Sequence, residues 1–214
     1  MAPTAPIILD VFADVACPWC WIGERRLAHA LAARPGLPVV RRWRPFELQP
    51  DLPAGGMPWG MLVETKFGGR ARATPMFERV AAIGAEEGLS FRFERMTMAS
   101  RTRDAHRVIL HAAQGGREWD VAEALWRAHF TDGANLGDAA VLRAAAVGAG
   151  LDAAEVDQLL AGDEHAAAVT ESQQEAALLG VTGVPFVVLD GRLGVSGAQP
   201  VEVFLRALDE AAAG

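Results

Sequence analysis

The sequence predicts an α/β chain ordered βαβ, then a long helical insertion, then ββα. Three observations carry this. Residues 7–12 form an apolar, strand-like run that turns straight into a helix opened by Cys17-Pro18-Trp19-Cys20. From the Pro/Gly-rich residues 50–58 to about residue 180 the periodicity is almost wholly helical. Beyond that, β-prone residues return before a last amphipathic helix. Residues 1–50 and 180–214 are thereby expected to form one discontinuous α/β domain, with 51–179 as a helical insertion domain.

Residues 7–12 are apolar on both faces, as in a strand covered from two sides. The helix that follows is stopped near Arg34 by Pro35-Gly36. Val39-Val40-Arg41-Arg42-Trp43-Arg44, ended by Pro45, reads as a second strand, with its arginines along a solvated edge. In the insertion, Gly68-Gly69 and Gly88 punctuate two early segments. Helices follow over about 102–113 and 118–131, the second with Trp119, Ala122, Trp126 and Phe130 on one face. Asp138 and Asp152 have the chemistry of N-caps, and Gly180 ends a last helix over about 163–179. Residues 184–189 and 192–195 read as strands joined at Asp190-Gly191, a tight hairpin turn. Pro200 then opens a helix with Val201, Phe204, Leu205 and Leu208 on one face.

Composition narrows the function. The chain has 214 residues, 51% of them hydrophobic and 22% charged, and no apolar run approaches the ~20 residues of a membrane span. A formal net charge of −7 argues against a nucleic-acid partner. The N-terminal residues lack the basic region of a secretory signal, so a cytoplasmic protein is expected. In that reducing compartment the two cysteines, Cys17 and Cys20, should rest as thiols.

Their spacing suits redox chemistry. Residues i and i+3 on a helix have Cβ atoms about 5–6 Å apart, within reach of a disulfide. Unpaired N–H groups and the dipole at the helix start favour a thiolate at Cys17, and Pro18 fits the first helical position. Cys20 lies on the face of Gly23, Leu27, Ala30 and Leu31, so it should point into packed surface while Cys17 points to solvent. That makes Cys17 the nucleophile and Cys20 the resolving thiol. As a structural staple the pair would be poor, since closing so short a loop is worth on the order of 2 kcal/mol against about 4.7 for a hundred-residue loop. A structural zinc site needs four ligands, and with no second Cys pair and no His pair at zinc-finger spacing from the cysteines no metal is expected.

The strand followed by Cys17-Pro18-Trp19-Cys20, the helical insert, Gly180-Val181-Thr182-Gly183-Val184-Pro185-Phe186 and Ser196-Gly197-Ala198-Gln199 together resemble the thioredoxin superfamily. Within it they are most similar to the DsbA-like oxidoreductases with a helical insertion (FrnE-like). The resemblance implies a thioredoxin-like fold and a thiol–disulfide oxidoreductase acting on protein or small-molecule disulfides. It implies Cys17 as nucleophile, Cys20 as resolving partner, Pro185 as a cis-proline facing the dithiol, and the Val184 backbone pairing an extended substrate segment. Trp19 would tune the potential and offer apolar surface to substrates. Asp14 is a further candidate for ordering the turn or moving protons, although a carboxylate beside a sulfur raises its pKa. His106 starts an insert helix that would face the dithiol, but Arg101-Thr102 stands where related proteins tend to have an Asn-Thr-like pair. A surface position is therefore expected for His106, as for His29, His111, His129 and His165.

No organic cofactor is implied, glutathione being considered only as a co-substrate. Partners are a disulfide-bearing substrate and an unidentified recycling thiol, with oligomeric state left open. One alternative is a glutathione-dependent isomerase of the 2-hydroxychromene-2-carboxylate isomerase type, in which a Ser commonly replaces Cys17 and the second Cys is absent. Another is a non-enzymatic chaperone. The intact pair favours the oxidoreductase.

Overall fold

A computed structural model of the chain describes residues 5–214. Strand β1 (Ile7–Ala13) leads into helix α1 (Pro18–Ala32) and strand β2 (Val39–Pro45), which pairs with β1 in parallel. Two-residue strands β3 (Met57–Pro58) and β4 (Met98–Ala99) pair antiparallel and bracket helices α2 (Trp59–Phe67) and α3 (Arg70–Glu86). This small ribbon is too short for a periodicity to be visible. A 3₁₀ turn, Phe93–Arg95, precedes β4. Then come α4 (Arg103–Ala113), α5 (Glu118–Phe130), α6 (Ala139–Gly148), α7 (Ala153–Ala161) and α8 (Ala166–Leu178). Strands β5 (Phe186–Leu189) and β6 (Leu193–Ser196) and helix α9 (Val201–Ala213) complete the chain.

The main sheet has the order β2-β1-β5-β6, with β5 antiparallel to both neighbours. This is the expected βαβ…ββα arrangement of a thioredoxin-like fold. The pleat of β1 explains how both faces are covered. Leu9 and Val11 enter a core shared with Ile22 and Leu27 of α1 and Phe204 and Leu208 of α9. Phe12 points the other way, onto Phe46 of the β2 end and Ala176 of α8. The first core is continuous with the interior of the helical segment, through Val108, Ile109, Leu125 and Trp126. Helices α4 and α8 also pack on β2. Among the described residues no helix is long and apolar enough to cross a membrane.

Local chemistry sets the element ends. Asp138 accepts from the Ala140 N–H, and Asp152 from the N–H groups of both Ala154 and Glu155, each cap worth about 1 kcal/mol. Asp190 (φ 50°) and Gly191 (φ 66°) take the two positive φ values of a twist-matched hairpin turn. The Asp190 carboxylate also accepts from the Ile8 N–H at 2.8 Å, tying that turn to β1.

The arginines of β2 lie on the expected strand edge, with Arg42 exposed, but they are not left to solvent alone. β2 is an edge strand, but Arg41 pairs with Glu24 and lies over the Trp119 ring. Arg42 grips Asp10 through two hydrogen bonds, and Arg44 pairs with Glu175. Each charge has a partner from a neighbouring element that strand periodicity does not reveal.

Candidate active site

The dithiol sits at the carboxyl end of β1, where the chain turns through Asp14–Ala16 into α1. The Cys17 N–H donates to the Asp14 carbonyl at 3.1 Å, closing the turn and making Cys17 the N-cap of α1 with Pro18 at the first helical position. One turn on, Cys20 joins Trp21, Ile22, Leu27 and Ala30 on the buried side. The Asp14 N–H points at Cys20 Sγ, 3.5 Å away. Burial first, then the adjacent Cys17 sulfur, pushes the Cys20 thiol well above its ordinary range.

Cys17 is not open to solvent as expected from its place at the helix tip. It is only 3% exposed, because the segment before β5 crosses over it. Cys17 Sγ donates to the Val184 carbonyl at 3.4 Å, and the Val184–Pro185 peptide bond is cis. Gly23 makes this crossing possible. A Cβ there would stand 2.9 Å from Pro185 Cγ and 3.5 Å from the Ala198 Cα. The far side is closed by the Gly197 N–H, which donates to the Pro185 carbonyl, and by Arg26, which donates to the Ala198 carbonyl. Trp19, two residues after Cys17, is 36% exposed. Pro18 and Trp19 follow Cys17 in the first turn of α1, and Val184 and Pro185 belong to the segment that crosses it.

Behind the sulfurs lies a buried polar network, and here a second expectation is corrected. His106 is 0% exposed, not a surface residue. The Trp43 indole N–H donates to His106 Nδ1 at 3.2 Å, and since indole can only donate, the imidazole proton sits on Nε2. That nitrogen faces Asp14 Oδ1 at 3.5 Å and has no other partner among the described residues. Asp14, 1% exposed, also accepts from the N–H groups of Ala16 (3.1 Å) and Leu48 (2.8 Å). Burial acts to raise its pKa, but the His106 contact and these two N–H donors outweigh it and hold the carboxyl below its ordinary value. The Trp126 indole donates to the Asp14 carbonyl at 3.2 Å. Beside this network Glu47 is buried against Arg101 and Arg103, at 3.5 and 3.3 Å.

The remaining histidines divide. His29 is exposed, as expected. His129 is buried, which lowers its pKa, and its Nδ1 is 3.2 Å from the Ala134 carbonyl. His111 and His165 are half-buried. Sequence reasoning missed Trp43, Trp126, Glu47 and Gly23 as parts of this neighbourhood. Only Gly23 carried a signal, a glycine inside a helix where none is needed for the helix itself.

A probable DsbA oxidoreductase from Streptomyces coelicolor is 40% identical, with a TM-score of 0.88 over 97% of this chain and 90% of its own. The cytosolic disulfide reductase DsbM from Pseudomonas aeruginosa, with GSH, is 22% identical, with a TM-score of 0.65 over 97% of this chain and all of its own. A 2-hydroxychromene-2-carboxylate isomerase is 16% identical, with a TM-score of 0.70 over 96% of each chain. At those lower identities the likeness is one of fold alone. The family described as DSBA-like thioredoxin domain matches residues 8–209, from β1 into α9. Dithiol, crossing loop and helical segment all fall within that match, and the chain belongs to the DSBA-like thioredoxin domain family.

Proposed function

We propose that the protein is a thiol–disulfide oxidoreductase in which Cys17 attacks and Cys20 resolves. The observation that carries this reading is the asymmetry of the pair. Cys17 caps α1 under the Val184 carbonyl, whereas Cys20 is enclosed one turn deeper with its thiol pushed up. Cys17, as thiolate, attacks one sulfur of a substrate disulfide. A Cys17–substrate bond forms, the substrate S–S bond breaks, and the first substrate thiolate leaves. Cys20 then loses its proton and attacks Cys17 Sγ, releasing the second substrate thiolate and leaving a Cys17–Cys20 disulfide. The substrate has gained two electrons and the protein has lost them. A recycling thiol returns them, and oxidation of a substrate dithiol is the same sequence reversed.

The surrounding residues divide the work. Cys17 stands at the start of α1, where the first N–H groups of the helix have no partner within it. Substrate must displace the Val184 carbonyl from Cys17 Sγ, and the exposed Trp19 ring offers apolar surface to whatever does so. The Asp14 N–H receives charge on Cys20 as it forms, while the Asp14–His106 pair fixes the turn from behind. We place the reaction in the cytoplasm, with glutathione a candidate co-substrate, a reading supported by the likeness to DsbM. Retention of both sulfurs favours the oxidoreductase over the isomerase. The test is insulin reduction by the wild type, Cys17→Ser, Cys20→Ser and the double variant. Activity is expected only in the wild type, and activity that survives loss of both sulfurs would refute the reading.

A further inference from the structure

His111 and His165, far apart in sequence, meet at a place the dithiol chemistry does not use. His111 lies in the last turn of α4, and Glu164-His165 form the turn that opens α8. Glu164 Oε1 stands between the two imidazoles, 3.7 Å from His111 Nδ1 and 3.2 Å from His165 Nε2. One ligand atom from each of the three residues falls within 4.8 Å of the others. The longer distance is beyond a hydrogen bond, and among the described residues buried His111 Nδ1 has no hydrogen-bond partner. The spacing suits a shared cation better. Nitrogen and oxygen ligands about 2.0–2.2 Å from a tetrahedral ion stand roughly 3.3–3.5 Å from one another. The other nitrogen of the ring, Nε2, faces the Glu155 carboxylate at 3.8 Å.

The framework is rigid without an ion. Arg107, buried one turn before His111, donates to the carbonyls of Leu159, Gly162 and Glu164 at 2.6–2.7 Å. It pins the α7–α8 turn against α4. His165 itself sits at φ 62°, a left-handed conformation costing on the order of 1 kcal/mol in a residue with a side chain.

We propose that His111, Glu164 and His165 form a site for a divalent transition-metal ion of the zinc class, which clips the start of α8 to the end of α4. Two imidazoles and one carboxylate suit such an ion, whereas calcium and magnesium take oxygen ligands throughout. Water fills the fourth position.

The test uses full-length, untagged protein with Cys17 and Cys20 oxidised to their disulfide, so that the dithiol takes no metal. Zn²⁺ is titrated in competition with a chromophoric chelator at about pH 7.5. One Zn²⁺ per chain is expected, with the affinity falling at least about 10-fold in His111→Gln and in Glu164→Gln. His165→Asn keeps a residue at ease with positive φ, so its loss of binding would not be a folding defect. Circular dichroism checks that each variant is folded. Zn²⁺ should raise the thermal midpoint of the wild type alone, and binding should weaken toward pH 5.5 as the imidazoles take protons. No saturable one-to-one binding up to about 100 µM Zn²⁺, or full binding by the folded His111→Gln/His165→Asn double variant, would overturn the site.

Discussion

Asp14→Asn is the most informative change at the candidate site, because it removes one charge and almost no volume. The wild-type carboxylate accepts from Leu48 and Ala16 and faces His106 Nε2–H, so all its neighbours are donors. An amide has one accepting oxygen, and in either orientation its NH₂ is set against a donor. Losing one charge-assisted hydrogen bond costs about 1.5–3 kcal/mol, and removing one member of a buried pair about 3–5 kcal/mol. We therefore expect Asp14→Asn to lose about 2–4 kcal/mol at pH 7 by urea denaturation, and Asp14→Ala to lose more. The pH dependence has a definite sign. The folded-state pKa of Asp14 lies below its ordinary value, so its contribution is fully present above that value. It is lost as pH falls through the folded pKa, so the gap between wild type and Asp14→Asn should narrow below about pH 4. The Asp14 charge also adds to the upward push on Cys20, so resolution of a mixed disulfide should begin at lower pH in the variant. A gap under ~0.5 kcal/mol at pH 7 with a parallel acid limb would refute the reasoning.

Other expectations follow from single contacts. Gly23→Ala puts a Cβ 2.9 Å from Pro185 Cγ. The ~1 kcal/mol gained in helix propensity should be offset by about 1–3 kcal/mol of crowding, with slowed insulin reduction; unchanged turnover would show that the Pro185 position does not matter. Burial foremost, with Glu123 nearby and Arg41 opposing, pushes the Glu24 carboxyl up to about 7. The folded state then holds a proton that the unfolded chain has released, so stability should fall on the order of 3 kcal/mol as pH rises from about 4.5 to 8. Urea midpoints across that range should slope in the wild type and flatten in Glu24→Gln. Asp152→Ala should cost about 1 kcal/mol, read as a lowered thermal midpoint, because two N–H groups of α7 lose their acceptor.

What could be read in advance, and what could not, divides by range. The caps at Asp138 and Asp152, the Asp190-Gly191 turn and the stops at Gly68 and Gly180 are decisions made within a few residues, so local chemistry announces them. The dithiol turn was legible for the same reason. His106 was not, because its burial depends on Trp43 of β2 and on Asp14, neither of which its own helix reveals. The covering of Cys17 was missed likewise. Periodicity aims the first turn of α1 at solvent, but the Val184 carbonyl arrives from 167 residues away. The β2 arginines read as a solvated edge, yet their partners come from α1, β1 and α8.

The division of labour between the sulfurs is tested most directly by Cys20→Ser presented with a disulfide substrate, followed by non-reducing intact mass and peptide mapping. A stable adduct, released by dithiothreitol and mapped to Cys17, is predicted, with none in Cys17→Ser. An adduct forming on Cys20 in Cys17→Ser as fast as on Cys17 in the converse variant would contradict it.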